Sequence, residues 1–122
     1  MYKRQVSEDV AREMAKQNPE KAGVWTLNLP EGDSRQTALR QVAKVWAKKD
    51  PAATAAWINQ FPQGTNTDPA IEQLVKEIAL NDPAGALSWA ESITDPAKRK
   101  QLIEHTEKVI KSQKFPAKDS TQ

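Results

Sequence analysis

An internal repeat with a step of 32 residues constrains the fold of this chain more than any other sequence feature. The columns that recur at this step are Trp25, Trp57 and Trp89; Pro19, Pro51 and Pro83, preceded by Asn18, Asp50 and Asp82; and Leu29, Phe61 and Ile93. Periods of about 20 to 50 residues are typical of arrays in which each unit buries its apolar face against the next. The sequence therefore predicts stacked copies of one small unit.

Each Asn/Asp-Pro pair predicts a boundary between two helices. The Asn or Asp side chain accepts from free N–H groups at a helix start, while proline fits the first helical position and disfavours helix in the residue before it. One dipeptide thus ends a helix, called helix A, and begins the next, called helix B. We expect helix A at Glu8–Lys16, Arg35–Lys48, Pro69–Leu80 and Pro96–Ser112, and helix B at Pro19–Leu29, Pro51–Phe61 and Pro83–Ile93.

The spacing of apolar residues predicts how these helices pack. Helix A of the second unit carries a broad apolar face at helical spacing, formed by Ala38, Leu39, Val42, Ala43, Trp46 and Ala47. Such short hairpins cannot bury this face alone, so the fold class predicted is all-α, an α-α superhelix (solenoid) of about three and a half hairpins. Its units are residues 6–33, 34–66 and 67–95, followed by a capping helix at 96–113.

The tryptophans have two readings. As core wedges, Trp25, Trp57 and Trp89 pack between helices, on the same side of helix B as Ala22 and Leu29 or their equivalents, and Trp46 does so in helix A. As an exposed platform for bases or sugars, the rings would have to lie on the polar face of their helices. They do not fall on that face, so we interpret them as core residues.

The two ends of the array differ in sequence. Met1–Gln5 resembles the translation of a sequencing adapter; without its Lys3 and Arg4, 16 basic residues balance 16 acidic ones and the net charge falls from +2 to zero. At the other end, columns of small apolar residues become charged: Ala11, Ala43 and Val75 are followed by Glu107, and Ala15, Ala47 and Ala79 by Lys111. A polar outer face is typical of a terminal repeat. We therefore expect a carboxyl cap and a flexible tail at residues 114–122.

The first helix A keeps the interior residue type. We therefore expect that earlier repeats precede it, that its apolar side near Ala11 and Ala15 is open to water, and that the chain self-associates weakly through this amino end.

Charge is also distributed unevenly along the chain. Residues 98–118 hold seven basic and two acidic residues, a net of +5, whereas residues 6–97 hold nine basic and thirteen acidic residues, a net of −4. Such asymmetry indicates either a solvated tail or attraction to an anionic partner.

The run from Trp46 to Trp57, WAKKDPAATAAW, followed by Phe61-Pro62-x-Gly64, resembles a tandem helical-hairpin repeat of the Trp-Ala-x-x-Asp-Pro type. This repeat occurs in many uncharacterised bacterial proteins that are often large and exported. The resemblance covers nearly all of residues 6–113. It implies a tetratricopeptide-like fold and an exported or envelope-associated full-length protein, and it brings no known activity. True tetratricopeptide repeats differ, with a period of about 34 and a Trp-x-x-Leu-Gly-x-x-Tyr signature.

Residue types that carry catalysis are sparse. The chain has no cysteine and a single histidine, His105, so it lacks a nucleophile paired with an oriented base, and we read His105 as a surface residue of the cap. Histidine or cysteine pairs with metal-ligand spacing are also missing. Gly32 and Gly64 follow helix ends and form no phosphate loop. We expect no enzyme activity, cofactor or metal, and no membrane insertion, because no segment approaches the roughly 20 apolar residues of a spanning helix.

One polar column stands out on helix A. Arg12, Lys44, Lys76 and Lys108 share a repeat position and are called here the basic ladder. Four residues before them lie Glu8, Arg40, Glu72 and Glu104. The three Glu-first pairs would each stabilise a helix by about 0.2 to 0.5 kcal/mol, which is a purely structural role. Alternatively, helix A lines a concave face, and the ladder contacts a ligand together with Gln41, Gln73 and His105.

Three functions remain open from the sequence. The first is a non-catalytic scaffold that binds another protein or peptide on its helix A face. The second is single-stranded nucleic-acid binding, with one rung of the ladder per unit. The third is a passive spacer in a larger exported protein.

Overall fold

The computed structural model describes residues 8–62 and 65–114. These residues form seven α-helices and no strand: α1 (Glu8–Gln17), α2 (Pro19–Leu27), α3 (Asp33–Lys49), α4 (Pro51–Ile58), α5 (Asp68–Ile78), α6 (Pro83–Glu91) and α7 (Pro96–Lys114). The predicted all-helical class is confirmed. The adapter-like residues 1–5 and residues 115–122 of the predicted tail lie outside the described residues.

A single residue ends one helix and begins the next at each Asn/Asp-Pro pair. The Asp50 N–H donates to the Trp46 carbonyl at 2.7 Å, closing α3, while Asp50 Oδ1 accepts from the Ala53 N–H at 3.0 Å, opening α4. Its extended backbone, with φ −156° and ψ 86°, turns the chain between them. Asn18 and Asp82 make the same pair of bonds. The predicted junctions are confirmed in atomic detail.

The B helices end two or three residues earlier than predicted. The last regular residues are Leu27, Ile58 and Glu91, whereas the sequence pattern runs to Leu29, Phe61 and Ile93. The cause is a tightened last turn with i to i+3 bonds, such as Phe61 N–H to the Ile58 carbonyl at 3.3 Å. This turn brings Phe61 and Ile93 back to the core, where both are buried.

The A helices lie next to each other in chain order. α3 packs between α1 and α5, and each B helix packs against its own A helix and against the following one. One cluster of buried residues extends from Ala15 on α1 to Leu102 on α7. The last junction is different, because α7 packs mainly on α6 and makes few contacts with α5.

Trp57 lies at the centre of the core. Its side chain is 2% exposed, and its Nε1–H donates to the Gly23 carbonyl at 3.0 Å. The ring centroid lies 5.7 Å from those of Trp46 and Phe61. A Cβ at Gly23 would lie 3.0 Å from atoms of both tryptophans, so the glycine allows this close approach. The core assignment of Trp57 and Trp46 is confirmed.

Trp25 and Trp89 are only half-buried, so their predicted role as core wedges holds in part. The reason is the rotation of their helices: the fully buried residues are Thr26 and Ala90, one position later. The recess at Gly23 is also not repeated for Trp89, because Ala55 occupies that repeat position.

The charged substitutions of the last helix A lie on its surface. Glu107 and Lys111 are exposed, whereas the residues at the same repeat positions in α3, in α5 and directly after α5 are buried: Ala43, Ala47, Val75 and Ala79. Polar residues on α7 therefore replace the small apolar contacts that join the earlier A helices.

The expectation for the amino end was wrong within the described residues. Ala11 and Ala15 are both 0% exposed, although they were expected to be open to water. They are buried because α1 packs against α2 and α3, which cover this side of the helix.

Asp68 has a role that its position in the sequence did not reveal. It stands directly before the helix start expected at Pro69, and in the structure it is the first residue of α5 and is only 4% exposed. Its carboxylate accepts from Thr94 N–H and Thr94 Oγ, both at 2.9 Å, and from Asp95 N–H at 3.2 Å. One repeat earlier, Gln36 Nε2 donates to the Asn66 carbonyl at 3.1 Å. In both units, a side chain in the first turn of helix A thus hydrogen-bonds to the loop directly before the next helix A.

Replacing Trp57 by Ala should lower the free energy of unfolding by about 3 to 5 kcal/mol, because a buried aromatic side chain is removed. Replacing the half-exposed Trp25 by Ala should cost clearly less. Urea unfolding followed by circular dichroism measures both. Equal losses for the two variants would contradict the central role of Trp57.

Replacing Asp68 by Ala should lower the free energy of unfolding by about 2 kcal/mol, because three donors lose a charged acceptor. Asp33→Ala, which removes an exposed carboxylate from the first turn of α3, is the matched control and should cost less. Hydrogen exchange should accelerate at the amides of Thr94 and Asp95 in the first variant alone. Unchanged exchange there would refute the tether.

Candidate functional site

The described A helices each carry one rung of the basic ladder. Arg12 lies on α1, Lys44 on α3, Lys76 on α5 and Lys108 on α7. The three lysines are exposed, and the Arg12 side chain is 33% exposed. The rungs therefore differ in their access to solvent.

The Arg12 side chain is held by contacts within the protein. One guanidinium nitrogen, Nη2, pairs with Asp9 Oδ1, and Nη1 donates to Gln41 Oε1 at 3.3 Å. Gln41, predicted to face a ligand, is only 5% exposed and lies where α1 meets α3. This rung joins two helices, and its residues offer little surface to a partner.

The lysine rungs are not held in this way. Between the side chains that the structure describes, the ion pairs are Arg12–Asp9, Lys16–Glu13 at 3.7 Å and Lys48–Glu77 at 3.1 Å. The predicted pairs Glu8–Arg12, Glu72–Lys76 and Glu104–Lys108 are not among them. Lys44, Lys76 and Lys108 thus remain available as exposed cations. The expected i, i+4 pairs of the ladder are not formed between the described side chains, and Arg12 pairs with Asp9 at i, i+3 instead.

Two neighbouring clefts bring part of the ladder together where α5 meets α7. The first, about 230 Å³, is lined by Glu72, Lys76, Lys98, Gln101, Leu102 and His105. The second, about 550 Å³, is lined by Leu80, His105, Lys108, Val109 and Ser112. Because His105 lines both, Lys76, His105 and Lys108 share one surface. Lys44 and the half-buried Gln73 line neither cleft.

The sequence analysis did not select Lys98, Gln101 or Leu80 as members of this surface. Lys98 continues a polar column with Ser34 and Asn66 at the 32-residue step, and Leu80 is 53% exposed although it continues the apolar pattern of α5. The charged substitutions Glu107 and Lys111 were a signal that α7 departs from the other A helices. They could not show on which side of α7 a gap opens.

A further open cleft of about 580 Å³ lies where α4 and α6 end near the start of α5. It is lined by Ile58, Asn59, Phe61, Pro62, Thr65, Thr67, Ile71, Trp89, Ser92 and Thr94. This lining holds no charged side chain and no residue that the sequence singled out for binding. The exposed cations therefore identify the α5–α7 surface as the stronger candidate.

The search for metal sites, membrane-spanning helices and related proteins gives no further indication of the function. Among residues 8–62 and 65–114, no three His, Cys, Asp or Glu side chains are grouped closely enough to hold a metal ion. The helices of the same residues include none with the length and apolar character needed to cross a bilayer. Comparison with protein-family models, curated proteins and solved structures found no match to this chain. The functional argument depends on the site geometry.

The two kinds of rung should respond differently to mutation. Arg12→Gln should lower the free energy of unfolding by about 1 kcal/mol, because a part-buried pair is lost and Gln41 loses its donor. Lys44→Gln should change it by less than about 0.5 kcal/mol, as is usual for an exposed residue. Urea unfolding of both variants under identical conditions measures the contrast. A larger loss for Lys44→Gln would show that the lysine rungs also support the fold.

Proposed function

We propose that this chain is a non-catalytic helical-repeat scaffold. In this proposal the hairpins continue as a superhelical array, and the exposed lysines of helix A bind an extended segment of another protein. The observation that carries it is the state of Lys44, Lys76 and Lys108, which recur at one repeat position, are exposed, and have no carboxylate at ion-pair distance among the described side chains.

The packing order supports an elongated contact. Because α1, α3 and α5 are neighbours in space, cations at the same position of successive A helices form a row. An extended chain with carboxylates could contact several of them together, and each exposed ion pair adds up to about 1 kcal/mol. Several weak pairs in register then give a useful affinity without any enzyme chemistry.

Nucleic-acid binding is the second candidate, favoured by the basic residues that α7 carries besides its ladder residue Lys108. These are Lys98, Arg99, Lys100 and Lys111, which lie outside the ladder. A row of cations matches a phosphate backbone equally well. Glu104 and Glu107 on the same helix weaken that attraction, and so does Glu72 beside Lys76. A passive spacer, the third candidate, would leave the exposed cations unused.

Reversing the ladder charges should separate these functions. Lys44→Glu combined with Lys76→Glu should weaken binding of a protein partner by about tenfold, since favourable pairs become repulsive. The matched control is Lys21→Glu with Lys100→Glu, which changes the net charge equally at exposed positions outside the ladder. A photo-cross-linking residue at Gln73, followed by mass spectrometry, identifies the partner, and titration with that partner measures affinity.

Unchanged affinity in the ladder variant would remove the ladder from the binding surface. A labelled single-stranded oligonucleotide provides the second arm. Binding at low salt that falls steeply as salt rises, and that the ladder variant loses, would favour nucleic acid instead. If the experiments detect no cross-linked partner and no oligonucleotide complex, the passive spacer is the function that remains.

A further inference from the structure

The junction between α5 and α7 is open, whereas the earlier junctions between A helices are closely packed. Ala43 on α3 and Val75 on α5 are fully buried, whereas the residue at their repeat position in α7 is the exposed Glu107. α7 makes few contacts with α5, in keeping with a charged residue at this position. The two clefts that share His105 run along this gap, and together they are called here the α5–α7 groove.

The charge of the groove is predominantly positive. Lys76, Lys98 and Lys108 line it against one carboxylate, that of Glu72, and none of the three lysines is in an ion pair with another described side chain. The acidic residues of α7, Glu104 and Glu107, lie instead around a separate cleft. Lys76 of α5 and Lys98 and Lys108 of α7 thus share one surface, which attracts carboxylates.

Apolar side chains lie beside these cations. Leu80 is 53% exposed, Val109 is half-buried, and Leu102 forms a buried floor. Among the described side chains that line the groove there is no Trp, Tyr or Phe, and the one aromatic ring is the imidazole of His105, so the described lining offers little surface for a base to stack on. A ligand that fills it should therefore combine negative charge with an aliphatic group.

We propose that the α5–α7 groove binds an acidic peptide segment of a partner protein that carries one aliphatic side chain. The carboxylates of the segment pair with Lys76, Lys98 and Lys108, and the aliphatic side chain packs against Leu80 and Val109. This inference rests on the proposed function and specifies the chemistry of the partner and the part of the scaffold that selects it. We infer this ligand because its carboxylates complement the charge of the three lysines and its aliphatic side chain matches the exposed Leu80.

The test uses the full chain labelled with ¹⁵N and a capped probe peptide, Glu-Glu-Leu-Glu-Glu. Its addition should cause saturable chemical-shift changes in heteronuclear NMR spectra, concentrated at Lys76, Leu80, Gln101, His105 and Val109. Two further peptides are controls: Glu-Glu-Ser-Glu-Glu, which lacks the aliphatic group, should bind several-fold more weakly, and Lys-Lys-Leu-Lys-Lys should not bind.

Variants of the chain test the two components separately. Lys76→Glu with Lys108→Glu should weaken binding of the probe about tenfold. Leu80→Ser should weaken it by a smaller factor and abolish the preference for the leucine peptide. Lys100→Glu is the matched control, because Lys100 lies on α7 beside the separate cleft, and its affinity should stay close to that of the parent. Spectra with parent-like dispersion verify that each variant is folded.

Each other outcome overturns the inference. Shifts confined to the surroundings of Lys44, with the groove unaffected, would refute the groove while leaving the ladder as a binding surface. Equal affinity for the serine and leucine peptides would refute the aliphatic contact. A single-stranded oligonucleotide that binds the groove more tightly than the acidic probe would assign it to nucleic acid. Absence of saturable shifts would refute it altogether. Failure of the proposed function would be seen separately, as an unchanged affinity for the cross-linked partner both in the ladder variant and in Lys44→Glu alone, since Lys44 lies outside the groove.

Discussion

The rest of the structure depends on a double cap. At Asn18, Asp50 and Asp82 one residue closes a helix through its backbone N–H and opens the next through its side-chain oxygen. Proline immediately after it lacks an N–H, so nothing is left unsatisfied at the first helical position. Because the junction has no intervening loop, the two helices of a hairpin meet in nearly the same way each time.

Contacts between hairpins depend on smaller residues. Gly23 allows Trp57 of the next hairpin to reach its carbonyl, and fully buried alanines allow neighbouring A helices to approach. Where α7 places Glu107 and Lys111 at those positions, close packing with α5 is lost. Asp68 and Arg99 compensate, since they bond to the Thr94–Asp95 and Ile93 backbone and hold the start of α7 in place. The groove is present because α7 is held near α5 by these hydrogen bonds and not by close packing of the two helices.

Equivalent positions of a repeat need not have equivalent roles. Arg12 and Lys108 stand at the same position, yet Arg12 is engaged by Asp9 and Gln41, whereas Lys108 lines an open cleft. The planar guanidinium can donate to two groups at once, which suits it to join helices, while a lysine ammonium on a flexible stem remains hydrated. The function proposed for the ladder therefore concerns its lysines and excludes its arginine.

The sequence by itself determined the helical class, the positions of the hairpins, the double caps and the burial of Trp57, because periodicity and Asn/Asp-Pro chemistry act over a few neighbouring residues. Even the helix ends needed more, since the tightened turn at Phe61 depends on the core into which that ring packs. Only the tertiary structure decided how far individual side chains are buried: Trp25 stays half-exposed, and Gln41 is buried. It also decided which distant residues meet, since Asp68 bonds to Thr94, and Lys76 and Lys108 line one groove. These depend on the rotation and separation of helices about 30 residues apart in the chain, which are set by packing and leave no trace in local spacing.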